Sequence, residues 1–278
     1  MRQETFQTPR QLAVSAKLPR GDLAVETTDA PEAVVILEGR GDRAERQIQA
    51  ADIRLEDRGD YDELVVDADP DDISWSAGRV KLAISFDLRK DSVAMKIRVP
   101  HGTILRASSG SADIRAAGRY RELETKTGSG DIAVDHVERD ASIKVASGDV
   151  RVDRVDGTLK VQTAAGDVSA GPVGADADVR TASGDIRLDD VGGNVSVHSA
   201  SGDVRVGAVQ QGKVELKSVS GDMVVGVRRG SRVWMDVKTV TGDARSELDA
   251  GGEDDAEGPL VELKATAMSG DIRIVRAG

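Results

Sequence analysis

The chain reads as all-β, a single-domain parallel β-solenoid built from coils of about 18 residues. Three observations predict it. Ser-Gly-Asp or a close variant recurs nine times, with its aspartates at Asp113, Asp131, Asp149, Asp167, Asp185, Asp203, Asp222, Asp243 and Asp271; the first five intervals are 18 residues and the last three are 19, 21 and 28. A fixed short period means stacked supersecondary units. Apolar and polar residues alternate on both sides of each turn, as in Leu159-Lys160-Val161-Gln162-Thr163 and Val204-Arg205-Val206, which is the pattern of half-buried strands. Aromatic residues make up only 2% of the chain, so the interior is thin and aliphatic.

Taken in order, residues 1–100 hold an irregular N-terminal part that caps the same domain, and residues 101–278 hold the regular repeats. The first part keeps a fainter beat in Gly21-Asp22, Gly41-Asp42 and Gly59-Asp60, with Ala77-Gly78-Arg79-Val80-Lys81-Leu82 as a variant. Strand-like alternation runs through Leu12 to Val14, Asp52 to Leu55, Val80 to Phe86 and Val93 to Val99. A solenoid needs an atypical terminal unit because an open end exposes strand edges and core side chains. In the regular part the residue before the aspartate is glycine in eight of nine units: Gly130, Gly148, Gly166, Gly184, Gly202, Gly221, Gly242 and Gly270. Glycine there fits a turn with positive φ. Val137, Val155, Val173, Val191 and Val209, each six residues past its aspartate, supply a third inward position. A propeller blade of 40–50 residues finds no matching period, and an antiparallel meander would not require identical residues in every unit.

The 49 acidic residues exceed the 38 basic ones, a formal net charge of −11. That balance repels the phosphate backbone and argues against a nucleic-acid partner. There is no cysteine, which excludes disulfides and thiolate metal sites. No run of about 18 apolar residues occurs and no apolar segment follows Met1-Arg2, so direct membrane insertion is not expected and a cytoplasmic location is.

Phe6-Gln7-Thr8-Pro9, the stretch Ile97-Arg98-Val99-Pro100-His101-Gly102-Thr103, the Ser-Gly-Asp series and the closing Ser269-Gly270-Asp271-Ile272-Arg273-Ile274 together resemble the bacterial β-strand-repeat "putative adhesin" family. That family includes the toast-rack domains of envelope-stress operons, and its leaderless members of this size are typical of actinobacteria. The resemblance covers nearly the whole chain. It implies a right-handed β-helix-like stack without enzymatic activity.

The Gly-Asp pairs are read as structural turns, each carboxylate capping its own turn. One carboxylate and one hydroxyl per turn fall short of the six to eight oxygens calcium takes. Arg115, Arg151, Arg187, Arg205, Arg245 and Arg273 lie two residues past an aspartate, and Lys126, Lys144, Arg180, His198, Lys217 and Lys238 lie five before one. Both rows read as countercharge for a stacked carboxylate column, with a basic strip for an anionic lipid or polymer as the functional alternative. The three Arg-Gly-Asp tripeptides at 20–22, 40–42 and 58–60 are turns on the same beat. His101, His136 and His198 are scattered, so no catalytic, metal or cofactor residues are assigned. Trp234 is read as a core plug, and the acidic segment 247–259 as a solvated excursion or a docking tag for a basic partner.

These readings converge on a non-enzymatic scaffold or protein-interaction module, with an envelope-stress role suggested by the resemblance. The alternative is an adhesin-like module for a cell-surface polymer, and a carbohydrate-active β-helix enzyme comes third. The last coil ends without a capping segment, so homo-association is expected through Ile272 and Ile274.

Overall fold

The 18-residue period becomes one coil of a stack in the computed structural model, which describes residues 1–68, 92–248 and 258–277. Each coil contributes a strand before the Ser-Gly-Asp turn and a strand after it. The strands before the turn, among them Ala141–Ser147, Leu159–Ala165, Ala177–Ser183 and Val195–Ser201, pair in parallel with Val161 over Ile143 and Val179 over Val161. Those after it, Ile132–Val137, Val150–Val155, Val168–Ala170, Ile186–Val191 and Val204–Val209, do the same on the opposite face. Val155, Val173 and Val191 stack through parallel bridges and are buried, forming the third inward column. Because register repeats exactly one coil apart, every side chain sits over its counterpart. Parallel β-solenoid is therefore the observed fold class.

The interior is filled by aliphatic columns whose members trade size. Along one column Leu123, Ala141, Leu159 and Ala177 follow one another, and all are buried. The coil with Leu159 carries Ala170 on its other strand, while the coil with Ala177 carries Leu188. In these two coils the large and small side chains change strands, which keeps the volume filled at this level nearly equal, as close packing requires. Tyr120 is fully buried at the start of the regular stack, in register with Val137. Its hydroxyl donates to the Val25 carbonyl at 2.7 Å and the Ala117 carbonyl at 3.2 Å, and burial pushes the phenol's pKa up.

The fainter N-terminal beat resolves into three different structures. Gly21-Asp22 is a true coil turn within strand Leu12–Thr28, with Asp22 in register beside Asp113. Gly41-Asp42 instead opens the helix Asp42–Ala50, which buries Ala44 and Ile48. Gly59-Asp60 closes the antiparallel hairpin of Asp52–Asp57 with Asp62–Asp67. The helix breaks the expected all-strand cap because Ala44 and Ile48 share one helical face that packs on Gly39; a Cβ at Gly39 would stand 2.8 Å from that of Ala44. The variant at 77–82 and the alternation from Val80 to Phe86 lie outside the described residues. Two outer strands finish this end: Arg2–Gln7 runs antiparallel to Glu32–Gly39, which runs antiparallel to Val93–Pro100.

Sequence order and spatial order part company at both ends. Strand Leu12–Thr28 is flanked in parallel by Thr103–Ser129 on one side and by Asp62–Asp67 and Val93–Pro100 on the other. At the far end Leu260–Ser269 lies between Gly212–Ser220 and Arg232–Thr241, and Ile272–Ala277 lies between Met223–Arg228 and Ala244–Ser246. The coil that comes last in the sequence is thus second from the end of the stack. This corrects the expectation of a free edge at Ile272 and Ile274: both are buried and have strand neighbours on either side. The placement shields Leu263, Ile272 and Ile274 on both sides and leaves small Ala244, in register with Ile272, at the open end. Trp234 is no core plug either. It is 57% exposed, because it falls on the outward phase of the outermost strand.

Candidate interaction surface

The Ser-Gly-Asp turns build a hydrogen-bonded ladder along one corner of the stack. Asp131 N–H donates to Asp113 Oδ1 at 2.9 Å, Asp149 N–H to Asp131 Oδ1 at 2.9 Å, and the series continues through Asp167, Asp185, Asp203 and Asp222 at 2.8–2.9 Å. It then passes to Asp271 and ends at Asp243, each step at 2.9 Å. Each carboxylate therefore caps the next coil rather than its own turn, which corrects the sequence-based expectation. The reason is spacing: parallel neighbours lie about 4.8 Å apart, so a short side chain pointing along the stack meets the following amide. Gly166 shows why glycine precedes the aspartate. Its φ is +121°, and a Cβ there would stand 2.1 Å from the Gly148 carbonyl oxygen.

A second ladder, unforeseen from the sequence, occupies the opposite bend. Asp140 accepts from Thr158 N–H at 2.9 Å, Asp176 from Asn194 N–H at 2.7 Å, and Asn194 Oδ1 from Lys213 N–H at 2.8 Å. Its signal was present, since Asp140, Thr158, Asp176 and Asn194 are each 18 residues apart.

The arginines placed two residues past the aspartates do not act as one row of countercharges. Arg245 reaches Asp243 at 2.8 Å, whereas Arg151 turns to Asp153 at 3.0 Å. Amide dipoles rather than guanidinium groups meet most of the aspartate column. In the basic row five residues before the turn, Lys126 pairs with Glu124 at 2.6 Å, Arg180 with Asp178 at 3.3 Å and Lys217 with Glu215 at 2.5 Å. The hydrogen bond from Lys126 holds the Glu124 carboxyl below its ordinary pKa, and that from Lys217 does the same for Glu215.

Between the basic row and the aspartate corner runs a shallow groove. Its floor is a column of small exposed residues, Gly128, Ala146, Ala164, Ala182 and Ala200, which continues into the larger Val219, Met268 and Val240. Lys126, Lys144, Gln162, Arg180, His198 and Lys217 form one wall. Hydroxyls beneath the floor bond back to the chain, with Thr163 donating to the Ala165 carbonyl and Thr181 to the Ser183 carbonyl, both at 3.1 Å. His198 Nδ1 and Ser199 Oγ are buried without a hydrogen-bond partner. The four alanines recur every 18 residues in the sequence.

A family model described as Toastrack DUF4097 matches residues 74–275. The chain belongs to that family. Three solved structures resemble this toast-rack chain at low identity. One, a "putative cell adhesion protein" from Clostridium sporogenes ATCC 15579, is 11% identical over 99% of both chains with a TM-score of 0.27. A "putative adhesin" from Bacteroides fragilis NCTC 9343 is 9% identical over 98% of this chain and 95% of that one, with a TM-score of 0.40. Another from Parabacteroides distasonis ATCC 8503 is 10% identical over 98% and 96%, with a TM-score of 0.35. No curated protein matches the chain. No helix among the described residues is long and apolar enough to cross a membrane, and no group of three or more potential metal-ligating side chains gathers among them.

Proposed function

We propose that this toast-rack chain is a non-enzymatic interaction module that holds an extended partner along its groove. The observation that carries the reading is the row of small exposed residues from Gly128 to Ala200, repeated once per coil beside a basic wall. A surface ruled at about 4.8 Å intervals suits a partner that is itself linear, such as an extended peptide segment. The family's association with envelope-stress operons suggests a cytoplasmic scaffold in such a system as the biological setting.

A second reading, an adhesin-type module for a cell-surface polymer, is favoured by Lys126, Lys144, Arg180 and Lys217 along the wall. The chain's net charge of −11 weighs against a strongly anionic polymer unless the local cations dominate.

Binding to immobilised chain separates the two. A panel of extended peptides, neutral glycans and anionic wall polymers would be measured against native protein and against the double variant Ala164→Glu, Ala182→Glu, which fills the groove while leaving the core intact. Peptide binding lost in the variant supports the scaffold. Polymer binding that weakens steeply with salt supports the adhesin. Retention of all binding by the variant refutes the groove.

A further inference from the structure

The outermost strand of the stack, Arg232–Thr241, pairs with Leu260–Ser269 on one edge and has no strand on its other edge among the described residues. Its outward side chains read, in order, Trp234, Asp236, Lys238 and Val240: apolar, negative, positive, apolar. Trp234 is 57% exposed and Val240 81%. Asp236 and Lys238 contact each other at 2.9 Å within the strand. That order is complementary to itself when reversed. Laid antiparallel against a second copy with Val237 opposite Val237, it sets Trp234 against Val240 and Asp236 against Lys238, each pair occurring twice about the two-fold axis. A shift by two residues from this register places Trp234 opposite Lys238 and Asp236 opposite itself in one direction, and Asp236 opposite Val240 and Lys238 opposite itself in the other.

We propose that two copies of the chain associate through this edge, strand Arg232–Thr241 pairing antiparallel with itself about Val237. The edge offers the backbone donors and acceptors for strand addition. Directly opposed residues on an antiparallel pair share a face, so the two apolar pairs and the two ion pairs form together. The same face of each copy is used, as an isologous dimer requires. On the inward face Val237 meets Val237 and Met235 meets Thr239; Met235 is 40% exposed in the single chain and is covered by the second copy. One strand per copy makes a small interface, so the dimer is reversible and concentration-dependent. The floor of the groove reaches this edge at Val240, but the argument uses the edge strand alone, and this inference does not rest on the proposed function.

Sedimentation equilibrium over a wide concentration range tests it with the full chain. The native protein is expected to dimerise. Asp236→Lys alone and Lys238→Asp alone place like charges opposite one another and should each weaken the dimer by about tenfold or more; the double swap Asp236→Lys, Lys238→Asp should restore it. Since the chain has no cysteine, register can be read directly. Chains carrying Trp234→Cys mixed with chains carrying Val240→Cys should cross-link to each other under mild oxidation. Native chain that stays monomeric throughout overturns the proposal, as does failure of the double swap to restore what the single changes remove. Cross-linking in a different register overturns it equally, even if a dimer forms.

Discussion

The middle of the stack and its two ends are made of the same repeat yet obey different rules. From Asp113 to Asp222 each coil lies on the one before it in sequence. At the ends the coils holding Leu12–Thr28 and Leu260–Ala277 slip inward past their sequence neighbours. The Gly-Asp step therefore dictates how two coils dock, not which two. Every coil offers the same amide, carboxylate and strand register, so a connector long enough to bypass a coil can exchange neighbours without disturbing the ladder. What decides the choice is burial, because an end coil keeps one side of its core columns open.

The largest expected effect tests that exchange directly. A Val219→Cys, Met268→Cys pair should form a disulfide nearly completely, since these residues stand in adjacent parallel strands at a spacing a disulfide can span. Val219→Cys with Val240→Cys should not, because a whole coil separates them. The reverse result, read by mass spectrometry, would restore sequence order and remove the comparison.

Core truncation comes next. Leu188→Ala in a middle coil, where the side chain is fully buried, should cost about 2–5 kcal/mol of stability. Met235→Ala in the outermost coil should cost under about 1 kcal/mol, since a residue already 40% exposed leaves little cavity. Equal losses in urea denaturation would mean that the end coil is as well covered as the middle.

The turns give a smaller contrast. Gly166→Ala should lose about 1–3 kcal/mol from backbone strain, and more from its collision with the Gly148 carbonyl. Gly230→Ala, at φ +80° with no atom within 4 Å, should lose only about 1 kcal/mol. Likewise Asp149→Ala removes a carboxylate that accepts the Asp167 amide and should cost about 1–2 kcal/mol, whereas Asp243→Ala, at the end of the ladder, should cost less.

The smallest effect is electrostatic. Hydrogen bonds from His136 and then Arg154 hold the Asp156 carboxyl below its ordinary pKa. Its contribution is present above the ordinary Asp range near pH 4 and is lost as pH falls through the lowered value. With 36% of its side chain exposed, solvent screens the pair, and Asp156→Asn should change stability by at most about 1 kcal/mol. A larger loss of acid sensitivity in the variant would show that this corner bears more strain than the ladders.

Much of the fold could be read from the sequence because stacking in register forces recurrence. The glycines, aspartates and inward valines announced the coil, its turn and its three inward positions. Three things were hidden, each for a physical reason. The target of the Asp carboxylate depends on the distance to the next coil, which no single turn reveals. Gly41-Asp42 and Gly59-Asp60 share letters with the repeat, yet the helical face of Ala44 and Ile48 and the antiparallel hairpin override the dipeptide. The outward phase of Trp234 is set by the register of its strand, which places it beside the exposed Glu262, and strand register is a tertiary property. The groove is a different case: its alanines recur at 18-residue intervals, but a small residue on the outward phase of a strand marks a surface position without fixing its depth, which is set by the neighbouring side chains.

The inward position of Leu260–Ala277 carries a consequence for the growing chain. The ribosome releases residues 232–246 before 260–277, and at that moment the edge of Gly212–Ser220 is vacant and offers an equivalent docking site. Maturation must then either keep that slot open or evict an early occupant when the later segment arrives. Residues 260–277 thus join the stack between two coils already synthesised rather than on an open face.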